Sequence, residues 1–211
     1  REKKGIREIK TIINLSKFFL PESNISKIDL DKGNKNLTLL DIGCGDKYIY
    51  FGCKYFGIKY DGIDYSDCDI ETEKVNQKSN SYDVVTCMAL LEHLRDPSNL
   101  LNESFRLLKQ NGILILSTPN WNLCMKTFYD DPTHVHPYTS KSLFKLLNFT
   151  DFKSIKVIPN LRMKSKFSYT GFASFLRASK LRPFTNDPKY YFLPSFLKGK
   201  STGLFGIAIK K

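Results

Sequence analysis

The stretch LTLLDIGCGDKYIY, residues 37–50, decides the fold of this chain. An apolar, strand-like run meets an acid, Asp41, and then places Gly43 and Gly45 on either side of the small Cys44. Glycine has no Cβ and lets the backbone approach another group closely. The pattern therefore predicts a strand that ends in a tight turn beside a ligand.

Similar apolar runs recur along the chain, with helical or loop segments between them. They predict strands over residues 37–42, 59–64, 83–88, 112–117, 152–158 and 203–210. Apolar residues at helical spacing predict an N-terminal helix over residues 6–20, before Pro21, and a second helix capped by Asp96 or Ser98. Strands that alternate with helices are typical of an α/β layered fold with a mainly parallel sheet.

Length and composition exclude several classes of protein. The 211 residues fit one domain of ordinary size, and an apolar content of 41% is that of a globular chain. The sequence has no apolar run of about 18 residues and shows no signal peptide, so we expect no transmembrane helix. Five cysteines without a CxxC pair indicate free thiols and a reducing compartment, which predicts a cytoplasmic protein.

The net charge of +12 is concentrated near the C-terminus, because residues 159–211 hold 11 of the 33 basic residues and 1 of the 21 acidic residues. We interpret residues 159–202 as a basic, aromatic insertion that acts either as a lid or as an interaction surface. An anionic membrane surface or an acidic partner would suit such a surface. The division we predict is an N-terminal helix and loop (1–36), an α/β core (37–158), the insertion (159–202) and a last strand (203–211).

Two acids indicate which ligand the glycine turn binds. Asp64 ends the second predicted strand about 20 residues after the turn, where a carboxylate can accept hydrogen bonds from both hydroxyls of a ribose. A dinucleotide fingerprint needs a third glycine where this chain has Tyr48, and Asp41 would repel a pyrophosphate. An acid beside the glycines suits a ligand with an ammonium and a sulfonium group, and S-adenosylmethionine has both.

Further motifs follow in a consistent order: YDGIDYS, SYDVVTCMALLEHLRDP, LLKQNGILILSTPN and THVHPYTSKSLFKLL. Together with LLDIGCG they resemble the class I S-adenosylmethionine-dependent methyltransferases, in the branch that includes ubiquinone-biosynthesis O-methyltransferases and methyltransferases of surface-glycan gene clusters. The similarity covers residues 37–158. It implies a Rossmann-like sandwich with a mostly parallel, seven-stranded sheet whose last strand is antiparallel.

The resemblance also implies a set of cofactor-binding residues at the ends of the first four strands. They are Asp41, Gly43, Cys44, Gly45, Asp64, Tyr65, Asp69, Glu71, Met88, Ala89, Leu90 and His93. The third-strand acid that faces the adenine is either Asp69 or Glu71, because only three residues separate GIDY from DIE. His93 has an alternative interpretation as a structural histidine.

The acceptor side is predicted in YDDPTHVHPYT, which follows the fifth strand of the family pattern. A hydroxyl acceptor must lose a proton, and histidine titrates near neutral pH. We predict His134 as the general base, with His136 second and with Tyr138 and Asp131 orienting them. In the alternative interpretation, this segment only caps a helix that begins at Thr139.

A metal site in the same segment has weak support. Its potential ligands are Asp130, Asp131, His134 and His136, but H-x-H beside acids is a common pattern, and we predict no metal.

The sequence thus predicts an S-adenosylmethionine-dependent methyltransferase that acts on the hydroxyl of a small molecule, a sugar or a lipid precursor. One alternative is a nucleic-acid methyltransferase that uses the basic segment. Against it, CMALLEH stands where amino-directed DNA methyltransferases carry an Asn/Asp-Pro-Pro-aromatic motif. Another alternative is a non-catalytic cofactor-binding homologue.

Overall fold

The computed structural model of the protein describes residues 1–27, 36–160 and 202–211. Within these ranges, six strands form one sheet. They are β1 (Thr38–Ile42), β2 (Lys59–Ile63), β3 (Tyr82–Met88), β4 (Leu108–Pro119), β5 (Lys153–Pro159) and β6 (Gly203–Ile209). Five helices accompany them: α1 (Glu2–Phe19), α2 (Tyr48–Phe56), α3 (Ser98–Leu107), α4 (Trp121–Cys124) and α5 (Ser140–Asn148).

The strand order is β2-β1-β3-β4-β6-β5. Strands β2, β1, β3 and β4 are mutually parallel, whereas β6 runs antiparallel to both β4 and β5. This arrangement confirms the predicted Rossmann-like fold and its antiparallel last strand. It also brings the carboxyl ends of β1, β2, β3 and β4 to the same edge of the sheet.

The described sheet has six strands rather than the seven that the resemblance implied. The missing strand was expected at DIE (residues 69–71), but this segment forms turns. Carboxylates take up the backbone amides that a strand would use: the amide of Asp69 donates to Glu73, and that of Glu71 donates to Asp69, both at 3.0 Å. Local hydrogen bonds therefore replace the ladder at this edge of the sheet.

The apolar core lies in two layers, one on each face of the sheet. Residues of α1 and α2 pack on one face, and residues of α3 and α5 pack on the other. The predicted N-terminal helix is confirmed and begins earlier than expected, at Glu2. The cap predicted at Asp96 or Ser98 is wrong in position, because Pro97 stands at the N-cap of α3; Asp96, just before it, accepts a hydrogen bond from the amide of Ser98 at 2.9 Å.

The contact between α1 and α2 depends on two glycines within helices. A Cβ on Gly5 would collide with the backbone of α2 at Tyr48, and a Cβ on Gly52 would collide with the backbone of Gly5. The two helix axes approach closely because neither residue carries a side chain.

The basic segment predicted over residues 159–202 lies almost entirely outside the described residues, which omit 161–201. Its interpretation as a lid or an interaction surface therefore stays a prediction. None of the helices in the described ranges is both long and apolar enough to cross a lipid bilayer.

Candidate active site

The turn after β1 is tied to the end of β2 by its own amides. The N–H groups of Gly43 and Cys44 donate to the carbonyl oxygen of Ile63 at 2.8 and 3.1 Å. The amide of Gly45 donates to Oδ2 of Asp64 at 2.8 Å. These three amides hold two strand ends together, so the turn offers a ligand space beside its backbone rather than free N–H groups.

The two glycines of this turn have different functions. Both adopt a positive φ, +72° at Gly43 and +46° at Gly45. A Cβ on Gly43 would lie 3.1 and 3.2 Å from the two Cδ atoms of Leu90, whereas a Cβ on Gly45 would meet nothing within 4 Å. Gly43 therefore lets the turn pack against the chain after β3, and Gly45 borders open space where a ligand can approach.

Asp41 lies under the turn and is only 2% exposed. Its Oδ1 accepts a hydrogen bond from the Thr86 hydroxyl at 2.8 Å, and its Oδ2 accepts one from the Tyr60 hydroxyl at 3.3 Å. Burial raises the pKa of Asp41 to about 7, against the effect of these two hydrogen bonds. A cationic ligand above the turn would favour the ionised carboxylate.

Cys44 contributes its backbone to the site and not its thiol. The side chain is buried, and its Sγ lies 3.1 Å from the position of a Cβ on Gly62. Burial raises the pKa of the thiol, so Cys44 is a packing residue rather than a nucleophile.

Asp64 stands at the boundary between the turn and solvent. Besides the amide of Gly45, the amide of Tyr65 donates to it, to Oδ1 at 2.8 Å. Tyr65 itself is 79% exposed. The Asp64 carboxylate thus lies next to Gly45, and the roles of Asp64 and Tyr65 at the ribose and adenine stay predictions.

The chain after β3 passes directly over the turn. Ala89 is exposed, has a φ of +55°, and its amide donates to both the carbonyl oxygen and the hydroxyl of Ser117 at 3.0 and 3.1 Å. Leu90 packs against Gly43, and Met88 packs partly buried against the core. Leu90 is therefore brought into contact with the glycine turn, whereas Ala89 is held by β4 and Met88 by the core.

Asp69 and Glu71 stabilise the loop that replaces the third strand. Glu71 Oε1 accepts the amides of Arg95 and Asp96 at 2.7 and 2.8 Å, which ties this loop to the start of α3. Asp69 accepts the Thr72 hydroxyl at 3.2 Å in addition to the amide of Glu71. Both acids have structural contacts, and the choice between them at the adenine stays a prediction.

His134 and His93 lie side by side at the same edge of the sheet, with ring centroids 4.8 Å apart. His134 Nδ1 lies 2.7 Å from the carbonyl oxygen of Phe128, and His134 Nε2 lies 3.8 Å from Oδ2 of Asp131. His93 Nδ1 faces Thr133, whose hydroxyl also donates to Asp131 at 2.6 Å. His93 thus belongs with the acceptor-side histidine.

His136 is placed differently from His134. Its ring stacks on Tyr138, with centroids 4.8 Å apart and planes at 17°. The segment also does what its alternative interpretation predicted, because Thr139 and Ser142 form a capping box at the start of α5. Capping and catalysis are compatible, since the cap uses Thr139 and leaves His134 beside Asp131.

Glu92 was not predicted from the sequence. It is 1% exposed, and its backbone carbonyl accepts the amides of Val135 and His136 at 2.9 and 3.0 Å. This pairing holds the histidine segment over the 3₁₀ turn Leu91–His93. No local sequence pattern predicts this pairing, because its partners lie more than 40 residues apart in the chain.

Comparison with known proteins fits this geometry to a family. A family model described as a methyltransferase domain matches residues 15–157. The chain belongs to this methyltransferase family. The match covers the glycine turn, Asp64 and the histidine segment, and it confirms the predicted family of S-adenosylmethionine-dependent methyltransferases.

Curated relatives of this methyltransferase are ubiquinone biosynthesis O-methyltransferases. The one from Pelagibacter ubique is 34% identical over 44% of this chain and 46% of its own length. The one from Psychrobacter cryohalolentis is 46% identical over 21% of this chain and 17% of its own length. The methyltransferase thus matches less than half the length of each.

Solved structures of low sequence identity share the fold. A methyltransferase from Archaeoglobus fulgidus, titled as SAM-dependent, has a TM-score of 0.55 at 20% identity, over 95% of this chain and 94% of its own. Phosphoethanolamine N-methyltransferase 2 of Haemonchus contortus, solved with S-adenosylmethionine, has a TM-score of 0.55 at 18% identity. The match covers 93% of this chain and 52% of that one.

The residues present fit S-adenosylmethionine. No atom of the described chain lies within 4 Å of the position that a Cβ on Gly45 would take, so a ligand can occupy this space. Asp64 borders that space, and Asp41 is buried in β1, two residues before Gly43. An open backbone with these two acids nearby suits a ligand with a cationic end and a ribose.

Proposed function

We propose that this methyltransferase transfers the methyl group of S-adenosylmethionine to the oxygen of a hydroxyl on a small apolar acceptor. The names of the curated relatives, which are O-methyltransferases, support this choice of atom. The observation that carries the proposal is the fixed orientation of the His134 ring beside the cofactor edge of the sheet.

The contacts of His134 determine which nitrogen can take a proton. The carbonyl oxygen of Phe128 can only accept a hydrogen bond, so His134 Nδ1 carries the hydrogen and Nε2 keeps its lone pair. Asp131, 3.8 Å from Nε2, favours the protonated imidazole that forms during the reaction. Hydrogen bonds from Thr133 lower the pKa of Asp131, which keeps it ionised for this purpose.

The surroundings of His134 favour an apolar acceptor. Its ring packs on Phe128 with centroids 4.6 Å apart, and Trp121 meets Phe128 edge to face at 5.5 Å. Met125, Tyr129 and Val135 are exposed large hydrophobic residues of the same loop region. Exposed apolar patches mark ligand-binding or interaction sites more often than other surface does. A lipid precursor with an aromatic or allylic head would match this surface.

Each part of the site has a distinct task in the reaction. Asp64 and the open side of Gly45 hold the cofactor, and Asp41 stabilises its cationic end. When bound, S-adenosylmethionine supplies an electrophilic methyl group. His134 Nε2 accepts the proton of the acceptor hydroxyl, and the aromatic side chains around it align the acceptor.

The test is methyl transfer to a panel of acceptors: a catechol, a simple phenol, a free sugar and a short single-stranded RNA. Formation of S-adenosylhomocysteine is measured together with the mass of the product. We expect methylated catechol or phenol. Methylation of the RNA alone would contradict the proposal, and so would cofactor binding without turnover on any acceptor.

The role of His134 is tested by His134→Ala, with His136→Ala for comparison. A positioned general base contributes about 10²- to 10⁴-fold in rate. We expect His134→Ala to lower kcat by that order with little change in cofactor affinity, and His136→Ala to have a smaller effect. Equal activity of the His134 variant and the parent would remove His134 from the mechanism.

A further inference from the structure

One ligand-capable atom from each of Glu92, His93 and His134 lies within 4.8 Å of the other two. We propose that these three side chains bind a divalent first-row transition-metal ion. The cluster sits where the 3₁₀ turn after β3 meets the histidine segment before α5, and its three members come from two separate parts of the chain.

The buried carboxylate of Glu92 is the strongest indication of a ligand. The residue is 1% exposed, and its Oε2 has no hydrogen-bond partner within the described part of the chain. A buried, unpaired carboxylate oxygen is costly, because it has lost its water without gaining a donor. A cation held between this oxygen and two imidazoles would satisfy it.

Both histidines present the correct tautomer for a metal ion. His134 Nδ1 donates to the Phe128 carbonyl at 2.7 Å. His93 Nδ1 lies 2.9 Å from the Thr133 hydroxyl and 3.2 Å from the Thr133 carbonyl, and this hydroxyl already donates to Asp131. Both Nδ1 atoms therefore carry hydrogen, and both Nε2 atoms keep a lone pair. Metal-binding histidines typically have such an outer hydrogen bond to a carbonyl or a hydroxyl-carboxylate pair.

The ligand set indicates the class of ion. Two imidazoles and one carboxylate are ligands of Zn²⁺ and of other first-row ions, whereas Mg²⁺ and Ca²⁺ prefer oxygen ligands throughout. Three protein ligands leave at least one position open. We therefore use Zn²⁺ as the probe.

The position of the cluster suggests what the ion would do. Leu90, which packs on Gly43 of the cofactor turn, is only two residues before Glu92. An ion beside the cofactor could bind and polarise the acceptor hydroxyl. This role rests on the proposed function, whereas the binding of the ion does not. Both functions use the Nε2 lone pair of His134, so His134 is the base in the metal-free protein, and in the metal-bound protein the ion takes over the activation of the hydroxyl.

The experiment is a calorimetric titration of the chelator-treated full chain with Zn²⁺, without cofactor or acceptor. We expect one site per chain. Glu92→Gln keeps the shape of the side chain and removes its charge, and His93→Ala removes one imidazole. Each should weaken Zn²⁺ binding about tenfold or more. His136→Ala, in the same segment but outside the cluster, should bind Zn²⁺ like the parent.

Thermal unfolding without metal shows whether each variant is folded. Because two independent variants are used, the test still works if one of them does not fold. Equal Zn²⁺ affinity of folded Glu92→Gln or His93→Ala and the parent would overturn the inference. A stronger effect of His136→Ala would do the same, because it would place the ion elsewhere in the segment.

Co²⁺ provides a spectroscopic check on the ligands. Cys124 is buried close enough to Glu92 for the charge of that carboxylate to raise the pKa of its thiol, although burial is the larger cause. A thiolate ligand would add sulfur-to-metal charge-transfer absorption. We expect only the weaker ligand-field bands, and charge-transfer bands would contradict the proposed ligand set.

The two proposals can fail separately. A chain that binds Zn²⁺ with the expected mutational pattern but methylates no hydroxyl acceptor would retain the metal site and lose the proposed function. A chain that methylates a hydroxyl and shows no Zn²⁺ site would retain the function and lose this inference.

Discussion

The carboxylate of Asp64 accepts a hydrogen bond from the amide of Gly45 at 2.8 Å, across the gap between the ends of β2 and β1. One oxygen is thus used to fix the glycine turn, and the other accepts the amide of Tyr65. Carboxylate oxygens have further lone pairs, so the same group can still receive ribose hydroxyls. The acid that is expected to hold the ribose also shapes the turn beside it.

Asp64→Asn is therefore expected to weaken binding of S-adenosylmethionine by roughly 10- to 100-fold, because a charged hydrogen bond contributes about 1.5–3 kcal/mol. In the variant, the NH₂ group of the asparagine also faces one of the two backbone amides that donate to Asp64. Two donors then face each other, and the turn loosens. Calorimetry measures the affinity. Asp151→Asn removes an exposed carboxylate ahead of β5, at the far edge of the sheet, and should bind as the parent does.

Asp41 predicts a pH dependence of cofactor binding. Its pKa is raised to about 7 by burial, so the group is largely protonated at pH 6. A cationic ligand favours the carboxylate, so the affinity for S-adenosylmethionine should rise as the pH increases through about 7. Calorimetry between pH 5.5 and 7.5 should also detect proton release on binding at the lower pH values.

Asp41→Asn is the control, because it leaves any titration of the ligand itself unchanged. The variant should show a flatter affinity profile over the same range. If parent and variant have profiles of the same slope, Asp41 does not sense the charge of the ligand.

Gly43 and Gly45 should respond differently to alanine. Both substitutions strain a positive φ, at a cost of about 1–2 kcal/mol. Gly43→Ala also presses on Leu90, so its main effect should be a lower unfolding temperature. Gly45→Ala meets no protein atom within 4 Å, and its methyl group should mainly lower cofactor affinity. The reverse pattern would place the ligand away from Gly45.

The packing of α1 on α2 predicts an effect on stability far from the active site. Gly52→Ala inserts a methyl group against the backbone of Gly5 and should destabilise the protein by about 1–3 kcal/mol. Chemical denaturation measures this loss. Lys54→Ala, at an exposed position of the same helix, should change the stability little. If the two variants are equally stable, the helices do not pack in this way.

Much of the fold could be predicted from local patterns. The apolar runs placed all six described strands, since the central strands are buried on both faces and form nearly continuous apolar runs in the sequence. Gly43, Gly45 and Asp64 could be found because a turn and a strand-end acid have characteristic spacing. Thr139 could be found because helix caps use few residue types.

The remaining features depend on contacts between distant segments. Gly5 lies inside α1 although glycine has a low helix propensity. The close approach of Gly52 explains why a glycine is needed there. Strand β4 begins before the apolar run, because Lys109 pairs with the buried Asp83 at 2.8 Å. The burial of Glu92 follows from its pairing with the histidine segment and has no local signal.

The central claim is that the glycine turn and Asp64 form a site for S-adenosylmethionine. Calorimetric titration of the full chain with S-adenosylmethionine, and separately with a nicotinamide dinucleotide, tests it most directly. The account predicts saturable binding of one S-adenosylmethionine per chain and no heat with the dinucleotide. Binding of the dinucleotide in place of the sulfonium would contradict it.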